Sequence, residues 1–270
     1  MIETLARKAD GKVGDTDGSA RVVARFSCGA ASACATKIAI ERHGTAVHVI
    51  NAFVSDEDED NRRFLADCER WFGRTITVLR DEKYGASALE VWSRKRFIVS
   101  RQGAPCSKAL KRDVLSAYDQ PGDLLVLGYT ADRRDVDRYD RFIDANASAQ
   151  VWAPLIEVGM TKRDCFAHIA RAGIELPLMY RLGYHNANCK RCPKGGMGYW
   201  NKLRRDFPES VEEVAKLQDV LGSGSYFFRD RKTGERISLR MLPPDAGRFE
   251  DEQPFECGAV CEWPQAVRDI

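Results

Sequence analysis

Short apolar, β-branched runs separated by stretches long enough for a helix constrain this chain more than any other feature. The runs are Val22–Phe26, Ala46–Val54, Thr75–Leu79 and Leu124–Gly128. A small-residue loop, Ser27–Ser32, and a helical stretch through Arg42 follow the first run. An acidic run, SDEDED at residues 55–60, follows the second and leads into a helix with Phe64, Leu65, Cys68, Trp71 and Phe72 at helical spacing. Strands joined by crossover helices lie parallel, because the helix returns the chain to the same end of the sheet. The expectation is therefore an α/β fold: a mostly parallel, Rossmann-like sheet of five or six strands flanked by helices. Ligands of such sheets sit beyond the carboxyl ends of the strands. Ser27–Ser32 and Gly128–Asp132 stand at such ends and are the first places to look for chemistry.

The rest of the chain divides by texture. Residues 1–19 are polar and rich in Gly and Asp, and read as a mobile tail. Residues 20–180 read as the α/β domain, whose last helix is expected over Thr161–Ala172 with Gly173 as its stop. Residues 181–270, rich in Cys, Gly and aromatics, read as a separate cysteine-rich region. Lys and Arg number 42 against 40 Asp and Glu, and this net charge of +2 gives no general attraction to nucleic acid. The basic runs Arg94–Lys95–Arg96 and Lys108–Lys111–Arg112 read as solvated helix faces. The longest apolar run is too short to cross a bilayer and the N-terminus lacks a signal-peptide core, so the expectation is a cytoplasmic protein with no membrane partner.

Two segments carry chemistry. In VVARFSCGAASACATK, small residues between a strand and a helix let the backbone approach a phosphate. The N–H groups and dipole of the helix start then favour the negative charge. The nine cysteines form the second pattern. Cys28, Cys34, Cys68 and Cys165 lie in apolar periodic stretches and read as small core residues. Cys189 and Cys192 form a C-x2-C pair followed by Pro193, Cys257 and Cys261 form a C-x3-C pair, and Cys106 stands between Pro105 and Ser107. Reduced thiols so spaced suit either a closed four-cysteine zinc site or a 4Fe–4S cluster built from Cys106, Cys189, Cys192 and one tail cysteine.

The loop resembles the PP-loop, whose usual form is Ser-Gly-Gly-x-Asp-Ser. The stretches DEDEDNRRFLADCERWFG, GAPCSKALKRDVL, LGYTADRRDVDR and GIELPLMYRLGYHNANCKRCPKGGMGYW resemble segments of phage- and plasmid-encoded proteins of the phosphoadenosine-phosphosulfate reductase superfamily, which also includes relatives among DNA phosphorothioation sulfurtransferases. The resemblance spans roughly residues 20–262. Three positions depart from the pattern: Cys28 replaces the first Gly, Ala31 replaces the Asp, and Asn51–Ala52–Phe53 stands where reductases carry Thr-Gly.

The resemblance implies that Ser27, Cys28, Gly29, Ala30, Ala31 and Ser32 hold an adenine nucleotide, with Gly128, Tyr129 and Arg133 closing over it. Arg134 and Arg138 are further candidates to pair with phosphate or sulfate, unless Asp132, Asp135 and Asp137 answer the arginines. The resemblance also favours a 4Fe–4S cluster on Cys106, Cys189, Cys192 and Cys261, with Cys257 as the alternative fourth ligand and zinc as the alternative metal. Glu256–Cys257–Gly258 resembles the start of the reductases' catalytic motif, which implies that Cys257 is a thiolate nucleophile released by a thiol carrier such as thioredoxin. The implied activity is thiol-dependent sulfur reduction or transfer, in a chain that can act as a homodimer. Two other readings stay open. One is ATP-dependent thiolation of nucleic acid, contacted by the basic helix from Lys108. The other is a non-catalytic nucleotide-binding partner in a phage or CRISPR-associated system.

Overall fold

The computed structural model describes residues 21–100, 103–230 and 232–255. The expected tail at residues 1–19, and Cys257 and Cys261, lie outside these residues. The chain forms two compact units.

The first unit comprises Met1–Asn51, Phe64–Thr77 and Asp119–Leu176. It holds most of a parallel five-stranded sheet of order β3-β2-β1-β4-β5. The strands are β1 (Val22–Arg25), β2 (Val47–Phe53), β3 (Thr77–Arg80), β4 (Leu124–Val126) and β5 (Gln150–Trp152). Ala24 of the central strand faces Val49 on one side and Val126 on the other. Val23 and Ala24 are wholly buried. A strand covered on both faces has no solvent side, which is why Val22–Ala24 read as an unbroken apolar run rather than an alternating one.

Helix α1 (Ala30–His43) buries Ala30, Ser32, Ala33, Cys34, Ala35, Thr36 and Ala39. Side chains this small let its axis approach the sheet closely. Further helices of the first unit include the C-terminal part of α2 (Asp60–Phe72), α5 (Arg133–Ala145) and α6 (Lys162–Arg171). Thr161 caps α6 through a reciprocal bond with Asp164, and Gly173 follows it in the left-handed region at φ +70°, as the sequence predicts. Cys34, Cys68 and Cys165 are wholly buried and Cys28 nearly so, in keeping with their reading as core residues.

The second unit comprises Ala52–Arg63, Val78–Tyr118 and Pro177–Ile270. Its described part carries α3 (Ala88–Lys95), α7 (Met197–Asp206), α8 (Pro208–Leu221) and a small hairpin of β6 (Phe228–Arg229) and β7 (Arg236–Ile237). A further helix, α4, runs over residues 105–116 as α-helix Pro105–Ser107, a π-helical turn Lys108–Arg112 and α-helix Asp113–Ser116. Trp92, Leu110, Met179, Trp200, Leu203, Val214 and Leu239 fill one apolar core between these elements.

The units are thus not the consecutive blocks 20–180 and 181–270. The chain does enter the last segment of the second unit at Pro177, close to the expected boundary. Residues 52–63 and 78–118, however, pack with that segment. The physical reason is visible in the core: Val54, Tyr84, Val91, Trp92, Ile98 and Leu110 come from these inserts, and their apolar partners come from residues 177–255.

Candidate functional site

In the first unit, the sequence predicts a phosphate loop at residues 27–32, and the structure folds it as a self-bridged turn between β1 and α1. The Ser32 hydroxyl donates to Gly29 O (2.9 Å) and accepts from both the backbone N–H and the hydroxyl of Ser27 (3.1 Å each). Ser32 therefore ties the loop shut across its neck. Cys28 has φ +57°, in the left-handed region that costs an ordinary residue roughly 1–2 kcal/mol. The buried Asn51 side chain helps to hold it: Asn51 Nδ2 donates to Phe26 O (2.9 Å) and lies 3.6 Å from Cys28 Sγ.

Gly29 then caps α1 in extended conformation, with no side-chain cap and no acid in the first turn of the helix. The positive end of the helix dipole is not countered by a carboxylate there. Between β1 and β4 the strand order reverses, and that reversal opens a crevice where open parallel sheets bind ligands. Gly128 lies just beyond β4. A Cβ on it would come within 2.7 Å of Ser32 N and 2.8 Å of Ser32 Cα, so only glycine lets the end of β4 touch the loop.

The residues after Gly128 are tied to one another. Asp135 accepts from Thr130 N (3.1 Å) and Thr130 Oγ1 (2.9 Å), and pairs with Arg138 (2.7 Å). Asp132 accepts from Thr130 Oγ1 and from Lys162 N, at 2.9 Å each. Tyr129 is buried against Tyr139 and Phe142, with the Arg138 guanidinium 5.2 Å from its ring. Arg133 is different: its side chain is 90% exposed and its partner Asp137, at 2.9 Å, is on its own helix. Exposed pairs of this kind contribute little, so Arg133 is free to exchange its partner for a phosphate.

In the second unit, Cys106, Cys189 and Cys192 line one pocket, together with Val54, Ala88, Trp92, Ala104, Leu110 and Pro193. It encloses about 420 Å3, part of it open to solvent. Cys106 stands in the first turn of α4, with Pro105 at the helix start and the π-turn directly behind it. Such turns recur at functional sites because they re-aim side chains within a helix. Burial pushes the Cys189 thiol well above its ordinary value, Lys111 pulls it down, and Glu57, Asp56 and Cys192 push it further up. Among the described residues no three His, Cys, Asp or Glu side chains gather closely enough to hold a single metal ion.

The pocket's chemistry nevertheless fits a sulfur-rich inorganic group. Three thiols share it, and the rest of its wall is largely apolar. A cluster spreads its thiolates over separate irons, whereas one zinc ion draws every sulfur to about 2.3 Å. The three sulfurs line one pocket without converging on a single point, which suits the former.

The acidic run that precedes α2 turns out to be the clamp of this pocket. Asp56, wholly buried, pairs with Arg191 (2.8 Å) between the two cysteines and accepts from Ala88 N (2.6 Å). Glu57 pairs with Lys111 of α4 (2.7 Å), and Asp58 with Lys190 (3.3 Å). Lys190 N also donates to Asp56 O (2.9 Å), and Arg191 has a second carboxylate in Glu213. Lys111 is therefore not on a solvated face, as its sequence context suggests, but is bound inside the unit.

The glycine-rich stretch after Cys192 receives a carboxylate of the same chain. Glu252 accepts from Gly196 N (3.0 Å), Gly198 N (2.9 Å) and Tyr199 N (3.3 Å) at the start of α7. Three residues later Phe255 O accepts from Asn186 (2.7 Å) and Asn188 (2.9 Å), immediately before Cys189. The end of the described chain is thus fastened beside the C-x2-C loop.

No family model and no curated protein matches the sequence. Sequence reasoning missed Asn51 as a loop support and the acidic clamp. Both signals were present: a lone Asn at the end of an apolar strand, and a dense acidic run matched by Lys190–Arg191 far along the chain.

Proposed function

We propose that this chain binds an adenine nucleotide at residues 27–32, carries an iron–sulfur cluster on Cys106, Cys189 and Cys192 with a tail cysteine, and performs thiol-dependent sulfur reduction or transfer. One observation carries the reading. The self-bridged loop, its helix start and Gly128 converge at the strand-order reversal, where the open helix N-terminus suits a phosphate. Cys257 and Cys261 follow two and six residues after Phe255, whose carbonyl is fastened next to Cys189, which supports a fourth ligand from that segment.

When bound, the cluster takes the sulfurs as thiolates and adjusts the electrostatics of its pocket. The chain's own residues do the rest. The loop N–H groups and Arg133 hold phosphate or sulfate oxygens. The Cys257 thiolate attacks the sulfonyl sulfur of an adenosine phosphosulfate, forming an S–S bond as the S–O bond to the phosphate breaks and the nucleotide leaves with the electron pair. A dithiol carrier then cleaves the new S–S bond, releasing sulfite and becoming a disulfide. A reducing, cytoplasmic setting belongs to the same reading.

The nucleic-acid reading draws less support: Lys111 of that helix is committed to Glu57 in a largely buried pair (2.7 Å). The test is calorimetric titration of the full chain with ATP and with adenosine 3′-phosphate 5′-phosphosulfate, then sulfite release with reduced thioredoxin. Failure to bind either nucleotide removes the proposal. Full sulfite release by Cys257→Ser removes the mechanism, and tight binding without turnover leaves a nucleotide-binding partner.

A further inference from the structure

We propose that Arg80, Lys83, Arg94, Lys95, Arg96 and Phe97 of the second unit form a binding face for single-stranded nucleic acid, a role that holds whatever the loop and the cysteine pocket bind. The chain as a whole is nearly balanced, with 42 basic against 40 acidic residues. Residues 91–112 break that balance: they hold Arg94, Lys95, Arg96, Arg101, Lys108, Lys111 and Arg112 and no Asp or Glu. Helix α4 neutralises part of the run, through Lys108 with Asp113 and Lys111 with Glu57. The end of α3 does not. Lys95 and Arg96 are exposed and make no ion pair among the described residues. Arg94 pairs with Glu90 of its own helix, where both side chains meet solvent and the pair contributes little.

These cations are gathered rather than scattered. Arg80 Nη2 donates to Gly85 O (3.4 Å) and Arg94 Nη1 to Lys83 O (3.0 Å), so the ends of β3 and α3 grip one turn, residues 81–86. Lys83 and Arg94 both lie over the Tyr84 ring, at 5.3 and 5.7 Å. Arg62 and Arg80 both lie over the Phe53 ring, at 5.1 and 5.6 Å. A ring face attracts each cation but supplies no counter-charge. Arg62, Arg80 and Lys83 also make no ion pair among the described residues. Of the turn's two acids, Asp81 accepts from Tyr84 N (2.6 Å) and Glu82 is exposed. The carbonyl end of α3 accounts for a cation in its last turn, but not for Arg80 and Lys83 beside it. Arg96 caps α3 at φ +58°, where a helix end usually carries Gly, and so places a charge where glycine would leave bare backbone. Phe97, 36% exposed, follows it. Clustered guanidiniums pair bidentately with phosphates, and an exposed ring among them stacks an unpaired base, which favours a single strand.

The experiment titrates the full chain into a fluorescein-labelled, mixed-sequence DNA strand of about twenty nucleotides, read by fluorescence anisotropy from about 50 to about 200 mM KCl. Each phosphate contact to a single strand contributes about −0.7 to the slope of log affinity against log salt, so Arg80, Lys83, Arg94, Lys95 and Arg96 together set a wild-type slope of about −3 to −4. Lys95→Ala/Arg96→Ala is expected to bind about tenfold more weakly and to flatten the slope by about 1.4. Phe97→Ala is expected to weaken binding about fivefold or more at every salt concentration, with the slope unchanged. Arg163→Ala/Arg171→Ala removes two exposed charges from α6 of the first unit and is expected to bind as wild type does. Circular dichroism checks that each variant is folded. No wild-type binding at the lowest salt, or an equal loss in the two double variants, overturns the proposal. Displacement of the strand by polyglutamate as readily as by unlabelled strand overturns the nucleic-acid assignment and gives the face to an acidic protein.

Discussion

Removing Arg191 as Arg191→Met leaves a carboxylate sealed in the protein without its counter-ion. Asp56 has no exposed side-chain surface, so water cannot replace the guanidinium. Breaking a buried pair from one side costs about 3–5 kcal/mol. The remaining bond from Ala88 N is charge-assisted and moderates the loss, so the lower end, about 3 kcal/mol, is expected. The partner Glu213 adds little, because its side chain is 48% exposed and regains water. A loss of this size is a large share of the 5–15 kcal/mol typical of a folded domain.

Asp56→Asn keeps an acceptor and leaves Arg191 its second carboxylate, so it is expected to cost about 1–2 kcal/mol. The double variant should cost less than the two singles added, with a coupling of about 2 kcal/mol, because no buried charge is left over. The assay is urea unfolding followed by circular dichroism and tryptophan fluorescence, reading the midpoint shift at constant slope. An Arg191→Met variant that loses less than about 1 kcal/mol, or a cycle with no coupling, refutes the argument that the acidic run is a clamp.

Two further outcomes follow from other sites. Gly128→Ala puts a methyl group 2.7 Å from Ser32 N, where only backbone can yield; a stability loss of about 1–3 kcal/mol and weaker nucleotide binding by calorimetry are expected, and unchanged binding would separate the loop from the ligand. Asp60, held chiefly by Arg63 and also by Leu178 N and Arg181, has its carboxyl lowered to about 2. A lowered carboxyl contributes stability above the unfolded value near 4 and loses it as pH falls toward 2. The urea midpoint of wild type should therefore converge on that of Asp60→Asn between pH 4 and 2.5, and parallel curves would contradict the assignment.

Much of the first unit was legible because its signals are local. Period and composition within a few residues gave β1, β2, β4 and the loop between β1 and α1. β5 was not placed, because Gln150–Trp152 is three residues long and opens on an exposed polar residue. The second unit was harder to read because its signals are pairwise and distant. SDEDED looks solvated until Lys190 and Arg191 fold against it, and Asp56 and Arg191 stand 135 positions apart. Likewise, nothing within the stretch Gly195–Trp200 announces that Glu252 will fill it. Residue spacing left two cysteine sets open, one of them grouping Cys106 with Cys189 and Cys192, and resemblance favoured that set.

The chain passes between its two units five times, and this sets a schedule for its synthesis. The last segment of the first unit is complete once Leu176 has left the ribosome, so its sheet can close while translation continues. The second unit must wait. Val54, Val91, Trp92 and Leu110 are made early, yet the residues that cover them, such as Met179, Trp200, Leu203 and Val214, come only with the final third of the chain. At 5–20 residues per second that interval is on the order of ten seconds, long enough for bare apolar surface to attract chaperones or neighbouring nascent chains. Slowing translation past residue 177 should therefore lower the soluble yield of this protein, and a truncation at the same point should yield a closed first unit that drags sticky inserts behind it.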